Sequence, residues 1–240
     1  MFLDCGSKEY KAIRRTKYKR LEKTEMKYKL AIFDMDGTIL NTLEDLTDCM
    51  NYSLAVHDYP QRTIDEVKSF VGNGIKKLVE RAVPAGISKE EVEKVFQTFN
   101  DYYKDHCAIK TRPYDGINEV IREMKEKGIL TAVVSNKADY AVKSLCDDYF
   151  KGLFDFAIGD RPGHRRKPYP DNINAILENF KIDRSEAVYI GDSEVDLQTA
   201  KNADMDVIMV GWGFRDEDFI KSQGAEFVIE NPLDLLPFFK

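Results

Sequence analysis

Lys29-Leu30-Ala31-Ile32-Phe33-Asp34-Met35-Asp36-Gly37-Thr38 is the stretch on which the fold reading turns. Its first half is a short, continuously apolar run, the pattern of a strand buried on both faces, and its second half is a polar turn built around Gly37. An Asp-Gly turn after a strand ordinarily opens a hairpin. Here a helical pattern follows instead. From about 43 to 110, apolar residues such as Val92, Val95, Phe96 and Phe99 recur at spacings of three and four, and turn signals fall at His57–Pro60, Gly72–Gly74 and Pro84–Gly86. The segment 43–110 therefore reads as an all-helical insertion.

Working outward, a different rhythm begins after Arg112-Pro113-Tyr114-Asp115-Gly116. Ile117, Val120, Ile121 and Met124 form a helical stripe that ends at Gly128, and a strand follows over Ile129–Val134. Helices near 138–148, 170–180 and 194–202 then alternate with strands at 154–158, 187–190 and 206–210, with a weaker helix and strand toward 228. Such alternation predicts an α/β fold, a doubly wound parallel sheet of Rossmann-like form, assembled from residues 28–42 and 111–240. In such a sheet, ligands bind beyond the carboxyl ends of the strands, so the residues just after each strand carry most weight.

Composition agrees with a folded protein. The 240 residues are 43% hydrophobic and 32% charged, ordinary for a globular chain. No apolar run approaches the roughly 18 residues of a membrane span, and the amino terminus lacks the apolar core of a signal peptide, so a cytoplasmic location without a membrane partner is expected. Cys5, Cys49, Cys107 and Cys146 are widely scattered and are expected to be free thiols. The net charge of −6 is uneven: residues 1–27 carry 9 Lys/Arg against 4 Asp/Glu, leaving 27 against 38 in the rest. A basic head can contact nucleic acid or anionic lipid, but a solvated terminal segment accounts for it as well. No function and no nucleic-acid partner is assigned to it.

Four post-strand loops carry polar chemistry. Asp34 and Asp36 can divide nucleophilic attack on phosphorus from proton transfer, with Gly37 and Thr38 allowing close approach of a phosphate. Ser135 and Asn136 can hold a phosphoryl oxygen, or can simply cap the following helix. Arg165-Arg166-Lys167 can supply a charge-neutralising cation, or can be a solvated basic loop. Gly191-Asp192-Ser193-Glu194-Val195-Asp196 can hold magnesium through Asp192 together with Asp34, or can be an N-cap with acids in its first turn.

The ordered set DxDGT at Asp34–Thr38, Ser135, Lys167 and GDxxxD at Gly191–Asp196 resembles the haloacid dehalogenase-like superfamily, over nearly everything from about residue 28 onward. The resemblance implies Asp34 as nucleophile, Asp36 as general acid and base, Ser135 as phosphoryl anchor and Lys167 as charge-neutralising cation. It also implies Mg2+ held by Asp34, Asp192 and the main-chain carbonyl of Asp36, with Asp196 as a supporting carboxylate. The insertion resembles the cap domain of the subgroup to which phosphoglycolate phosphatases belong, as do Val71-Gly72-Asn73-Gly74 and Gly211-Trp212-Gly213-Phe214. This makes Asn73 and Gly74 candidates for substrate contact, a tight interhelical turn being the alternative.

The activity so implied is magnesium-dependent hydrolysis of a small phosphate monoester, phosphoglycolate-like or a sugar phosphate, through a phospho-aspartate intermediate. A phosphosugar mutase of the same superfamily and a non-catalytic phospho-ligand-binding regulator are the alternatives; the expected partner is a small phosphorylated metabolite, and the expected assembly a monomer or homodimer. Two departures stand out. Asp204 replaces a glycine usual in the family, which predicts strain at a helix end, and the extra charge of Arg165-Arg166 predicts a preference for a more acidic substrate.

Overall fold

The computed structural model describes residues 28–226 and 228–239; the basic segment 1–27, with Cys5, lies outside the described residues. In chain order come β1 (Leu30–Phe33), β2 (Leu40–Asn41), α1 (Leu43–Val56), α2 (Ile64–Phe70), α3 (Ile75–Ala82), α4 (Lys89–His106) and β3 (Arg112–Pro113). There follow α5 (Ile117–Glu126), β4 (Leu130–Ala138), α6 (Asp139–Tyr149), β5 (Phe156–Asp160), α7 (Asp171–Phe180), β6 (Ala187–Gly191), α8 (Glu194–Asn202), β7 (Asp206–Val210), α9 (Glu217–Ser222) and β8 (Val228–Ile229).

The main sheet runs β5-β4-β1-β6-β7-β8 with every neighbouring pair parallel, as the alternation predicts. The continuous apolar run of β1 is explained by its central place. Ala31 and Phe33 pack with Val120 and Met124 of α5 on one face, while Leu30 and Ile32 pack with Ile173 and Ile176 of α7 on the other. After β1 the chain builds outward through β4 and β5 on one side, then returns to build β6, β7 and β8 on the other. The reversal places a crevice beyond the carboxyl ends of β1, β4 and β6.

Between β1 and β4 the helices α1 to α4 enclose an apolar cluster of their own, with Leu46, Met50, Leu54, Val67, Val79, Val95 and Phe99 all buried. Two of these helices begin at capping boxes, Thr63 with Glu66 and Ser88 with Glu91. The short antiparallel pair β2 and β3 closes the base of the insertion, aligning Leu40 with Pro113 and Asn41 with Arg112.

Three local readings change. The strand expected over Ile129–Val134 continues to Ala138, with a shift of register against β5 between Val134 and Ala138. Helix α6 accordingly starts at Asp139 with Ala138 before it, so Ser135 and Asn136 are not its cap. The strand expected over 154–158 lies at Phe156–Asp160, its regular pairing with β4 beginning at Ala132 opposite Phe156. Just before it, Asp155 donates its amide to the Thr131 carbonyl at 2.9 Å and accepts the Thr131 amide through its side chain at 2.9 Å. Asp204 does adopt the left-handed conformation, φ 51°, that its position in a glycine-type helix terminus implies. Its amide reaches the carbonyl of Lys201, and that of Met205 reaches Ala200, which is the double bond of a Schellman ending.

Candidate active site

Parallel pairing of β1 with β6 carries the chain straight into the crevice, and the amide of Asp34 still donates to the Ile190 carbonyl at 2.8 Å. Its carboxylate, buried, meets the ammonium of Lys167 at 2.7 Å. Lys167 is shared: it lies 2.7 Å from Asp196 Oδ1 and donates to the Tyr189 hydroxyl at 3.2 Å. Asp196 in turn accepts from the Tyr189 hydroxyl at 3.0 Å through Oδ1, and from the Ser193 amide and hydroxyl at 3.1 and 2.6 Å through Oδ2. Ser193 is the N-cap of α8, so the ordinary capping reading of this loop is correct for Ser193 and Asp196. Asp192 is left over to face the crevice.

Asp192 is braced from two sides. Thr38 Oγ1 donates to its Oδ1 at 3.2 Å, and the amide of Phe214 donates to its Oδ2 at 2.7 Å. A β-carbon on Gly37 would stand 2.4 Å from Asp192 Oδ2, and one on Gly213 would stand 2.4 Å from Asp192 Cβ. Gly37, at φ 89°, spends its own amide on the Leu40 carbonyl, and neither it nor Thr38 lines the cavity. In this structure the two make room for, and orient, the Asp192 carboxylate.

One oxygen from each of Asp34, Asp192 and Asp196 falls within a 4.8 Å cluster. Burial, followed by the charge of Asp196, raises the pKa of Asp34 well above the usual carboxylate range against the pull of Lys167, and pushes Asp192 up to about 7. Burial alone would lower the Lys167 pKa, but Asp196 and Asp34 outweigh it and keep the side chain cationic. Three buried carboxylates around one ammonium leave an excess of negative charge on oxygen donors, a set that fits a hard divalent cation such as magnesium. Each Asp196 oxygen takes two donors, Oδ1 from Lys167 and Tyr189 and Oδ2 from the Ser193 amide and hydroxyl, whereas each Asp192 oxygen takes one and Asp34 is held by Lys167 at Oδ1. Asp34 and Asp192, the pair the family resemblance implies, thus keep more lone pairs free for a metal. The side chain of Asp36 stands outside this cluster.

Asp36 is held differently. Its Oδ1 accepts from Thr42 Oγ1 at 2.7 Å and lies 3.0 Å from the ammonium of Lys137, which also donates to the Tyr103 hydroxyl at 2.5 Å. Ser135 lines the same cavity, its hydroxyl oxygen accepting the Lys137 amide at 3.1 Å. Asn136 bridges the core to the insertion, donating to the carbonyls of Gly72 at 3.2 Å and Lys167 at 3.1 Å. The cavity is closed on the insertion side by Leu46, Val71, Gly72, Gly74, Ile75 and Leu78, and on the core side by Phe214 and Arg215.

Asn73 is not brought to this cavity. Its side chain accepts from Arg81 at 2.7 Å within the insertion, so the loop presents its glycine backbone, not its amide, to the site. The Arg165-Arg166 doublet is likewise spent elsewhere: Arg165 pairs with Asp171 at 2.8 Å and covers the Tyr169 ring, and Arg166 pairs with Asp160 at 2.8 Å. Neither is among the residues lining the cavity, although the Arg166 guanidinium stands against Gly74, which is. Sequence reading missed Thr42, Tyr103, Lys137, Tyr189 and Arg215. Lys137 follows Ser135 by two positions and carried a usable signal. Tyr103 continues the stripe of Phe96 and Phe99, so only the fold reveals that its hydroxyl leaves the apolar cluster.

Residues 31–210 match the Haloacid dehalogenase-like hydrolase family. Phosphoglycolate phosphatase 1 of Pseudomonas aeruginosa is 31% identical over 215 residues, covering 87% of this chain and 79% of its own. The N-acetylmuramic acid 6-phosphate phosphatase of the same species is 29% identical over 226 residues, covering 88% and 94%. The solved structure of a Lactobacillus delbrueckii subsp. bulgaricus protein, provisionally called a phosphoglycolate phosphatase, superposes with a TM-score of 0.84 at 39% identity, covering 88% of this chain and 99% of that one. With the four motifs meeting at one crevice, this chain belongs to the haloacid dehalogenase-like hydrolases, in the company of phosphoglycolate phosphatase-like members.

Proposed function

We propose that the chain hydrolyses a small phosphate monoester, of the phosphoglycolate or sugar-phosphate kind, through a phospho-aspartate at Asp34. The observation that carries this reading is the separation of two carboxylates lining one cavity. Asp34 is paired with Lys167 at 2.7 Å beside Asp192, whereas Asp36 is held apart by Thr42 and Lys137. Two carboxylates in different settings can divide nucleophilic and proton-transfer roles. The names of relatives that act on phosphoglycolate and on N-acetylmuramic acid 6-phosphate support the ester class.

In this reading Asp34 attacks phosphorus while Asp36 delivers its proton to the departing ester oxygen, so the alcohol leaves neutral. Asp36, now a carboxylate, takes a proton from water, whose oxygen attacks phosphorus and releases inorganic phosphate from Asp34. Lys167 and the Ser135 hydroxyl hold the phosphoryl oxygens and offset their charge. Asp34, Asp192 and the main-chain carbonyl of Asp36 would hold Mg2+, which when bound offsets repulsion between the nucleophile and an anionic ester. The insertion 43–110 serves as a cap over the core 28–42 and 111–240, excluding bulk water.

No described helix is long and apolar enough to cross a membrane, and Cys49, Cys107 and Cys146 are free thiols, which supports a cytoplasmic location. The test of the function is phosphate release from a panel of metabolite esters, with Asp34→Asn in parallel. Wild-type release, with none from a folded Asp34→Asn protein, is expected; equal release from both sinks the reading. An isomerisation assay on the same sugar phosphates separates hydrolysis from mutase chemistry.

A further inference from the structure

Lys137 is a buried cation that the steps above do not use. Its ammonium lies 3.0 Å from Asp36 Oδ1 and 2.5 Å from the Tyr103 hydroxyl, and the residue is 5% exposed. Tyr103 belongs to α4 of the insertion, where it is buried and stacks on Phe99 at 5.2 Å between ring centroids. The hydroxyl is therefore placed by the insertion's own packing, while Lys137 and Asp36 belong to the core. Burial would lower the Lys137 pKa, but the oxygens of Asp36 and Tyr103 outweigh it, so the ammonium stays charged. A buried ammonium with so few partners is a poor way to gain stability, since an apolar side chain of similar volume fills the same space without desolvating a charge. Its placement calls for another account.

We infer that Lys137 and Tyr103 are positioning residues for Asp36. Lys137 and Thr42 hold Oδ1, leaving Oδ2 for proton exchange with the ester oxygen and then with water. Tyr103 holds Lys137, so alignment of the proton carrier depends on the insertion being seated on the core. Both keep their own protons throughout. The inference rests on Asp36 being the proton carrier, and it differs from the plainer alternative that the Lys137 charge acts directly on the phosphoryl group. A direct charge effect costs every ester equally, whereas misalignment of a general acid costs most where the leaving oxygen most needs its proton.

The experiment measures kcat/KM of the full-length enzyme with magnesium on para-nitrophenyl phosphate and on a series of alkyl phosphates, for wild type, Lys137→Met, Tyr103→Phe, the double variant and Asp36→Asn. Lys137→Met is expected to lose about 10- to 100-fold on alkyl esters and under about threefold on the nitrophenyl ester. Tyr103→Phe should show the same tilt at about three- to tenfold, and the double variant should be no worse than Lys137→Met, because Tyr103 acts through Lys137. Equal losses on both ester types, no loss, or additive losses overturn the inference. Should Lys137→Met fail to fold, Tyr103→Phe removes a single hydroxyl and carries the test alone. A tilt in Asp36→Asn without one in the other variants overturns only this inference. No tilt in Asp36→Asn overturns the proton-carrier reading and the inference with it.

Discussion

Arg215, on the core loop after β7, donates to the main-chain carbonyl of Val71 in the insertion at 2.8 Å. It also reaches the Lys68 carbonyl at 2.9 Å and is oriented by Glu194 at 2.9 Å, so one guanidinium ties the end of α2 to the core. Hydrogen bonds from a charged donor contribute about 1.5–3 kcal/mol each. Arg215→Met should therefore leave the insertion less often seated, raising KM for metabolite esters about three- to tenfold by lowering the competent fraction. Steady-state kinetics checks this, and an unchanged KM would show that the tie is incidental.

The glycines around Asp192 yield a second expectation. A β-carbon at Gly213 would stand 2.4 Å from Asp192 Cβ and 2.5 Å from the Gly37 carbonyl, and the carbonyl is backbone that cannot swing aside. Gly213→Ala should displace Asp192 and raise the magnesium concentration for half-maximal activity by about tenfold or more. A magnesium titration of activity reads this directly.

The same carboxylate sets a pH dependence. Asp192 titrates at about 7 in the folded protein because burial and then Asp196 disfavour its charge, whereas an unfolded aspartate titrates near about 4. Between those values the folded, metal-free protein keeps a proton that the unfolded chain has released, so its stability falls as pH rises across the window. Magnesium must displace that proton. Its affinity should weaken by about tenfold or more per pH unit below about 7, since burial also raises the pKa of the other donor Asp34, with proton uptake by buffer on binding. Calorimetric titration at about pH 6 and about pH 8 gives the comparison; equal affinity would place Asp192 outside the metal site.

Within the insertion, the side chains that close the cavity and those that do not are separable. Ile75 lines it, while Asn73 is turned to Arg81. Ile75→Trp should change the ranking of metabolite esters, and Asn73→Ala should leave that ranking intact. A substrate panel in which Asn73→Ala reorders the esters would show that the loop turns inward on binding.

Asp204 offers a test of stability away from the chemistry. At φ 51° it occupies a left-handed position where glycine is unstrained, although aspartate tolerates it better than most residues. Asp204→Gly should stabilise the fold by about 0.5 kcal/mol, the relief of strain being partly offset by the extra freedom of glycine in the unfolded chain. Urea unfolding at fixed pH measures it.

The main sheet, the helical insertion and the four loops at one crevice were legible in the sequence because each rests on a local regularity. A strand buried on both faces, such as Leu30–Phe33, must be apolar throughout, and a helix packed on one side repeats every three or four residues, as Ile117, Val120, Ile121 and Met124 do. Alternation of the two then leaves few topologies. Roles within the loops were only half legible. A serine and an asparagine after a strand suit a helix cap or a phosphate equally well, and only the extension of β4 to Ala138 separates Ser135 from the cap of α6. Contacts between residues far apart along the chain were not legible at all. Tyr103 reaches Lys137 across 34 positions and Arg215 reaches Val71 across 144, and such pairings depend on how the insertion seats against the sheet. The backbone periodicity that reveals a helix says which face is apolar, but the direction of one hydroxyl or guanidinium is settled by three-dimensional packing alone.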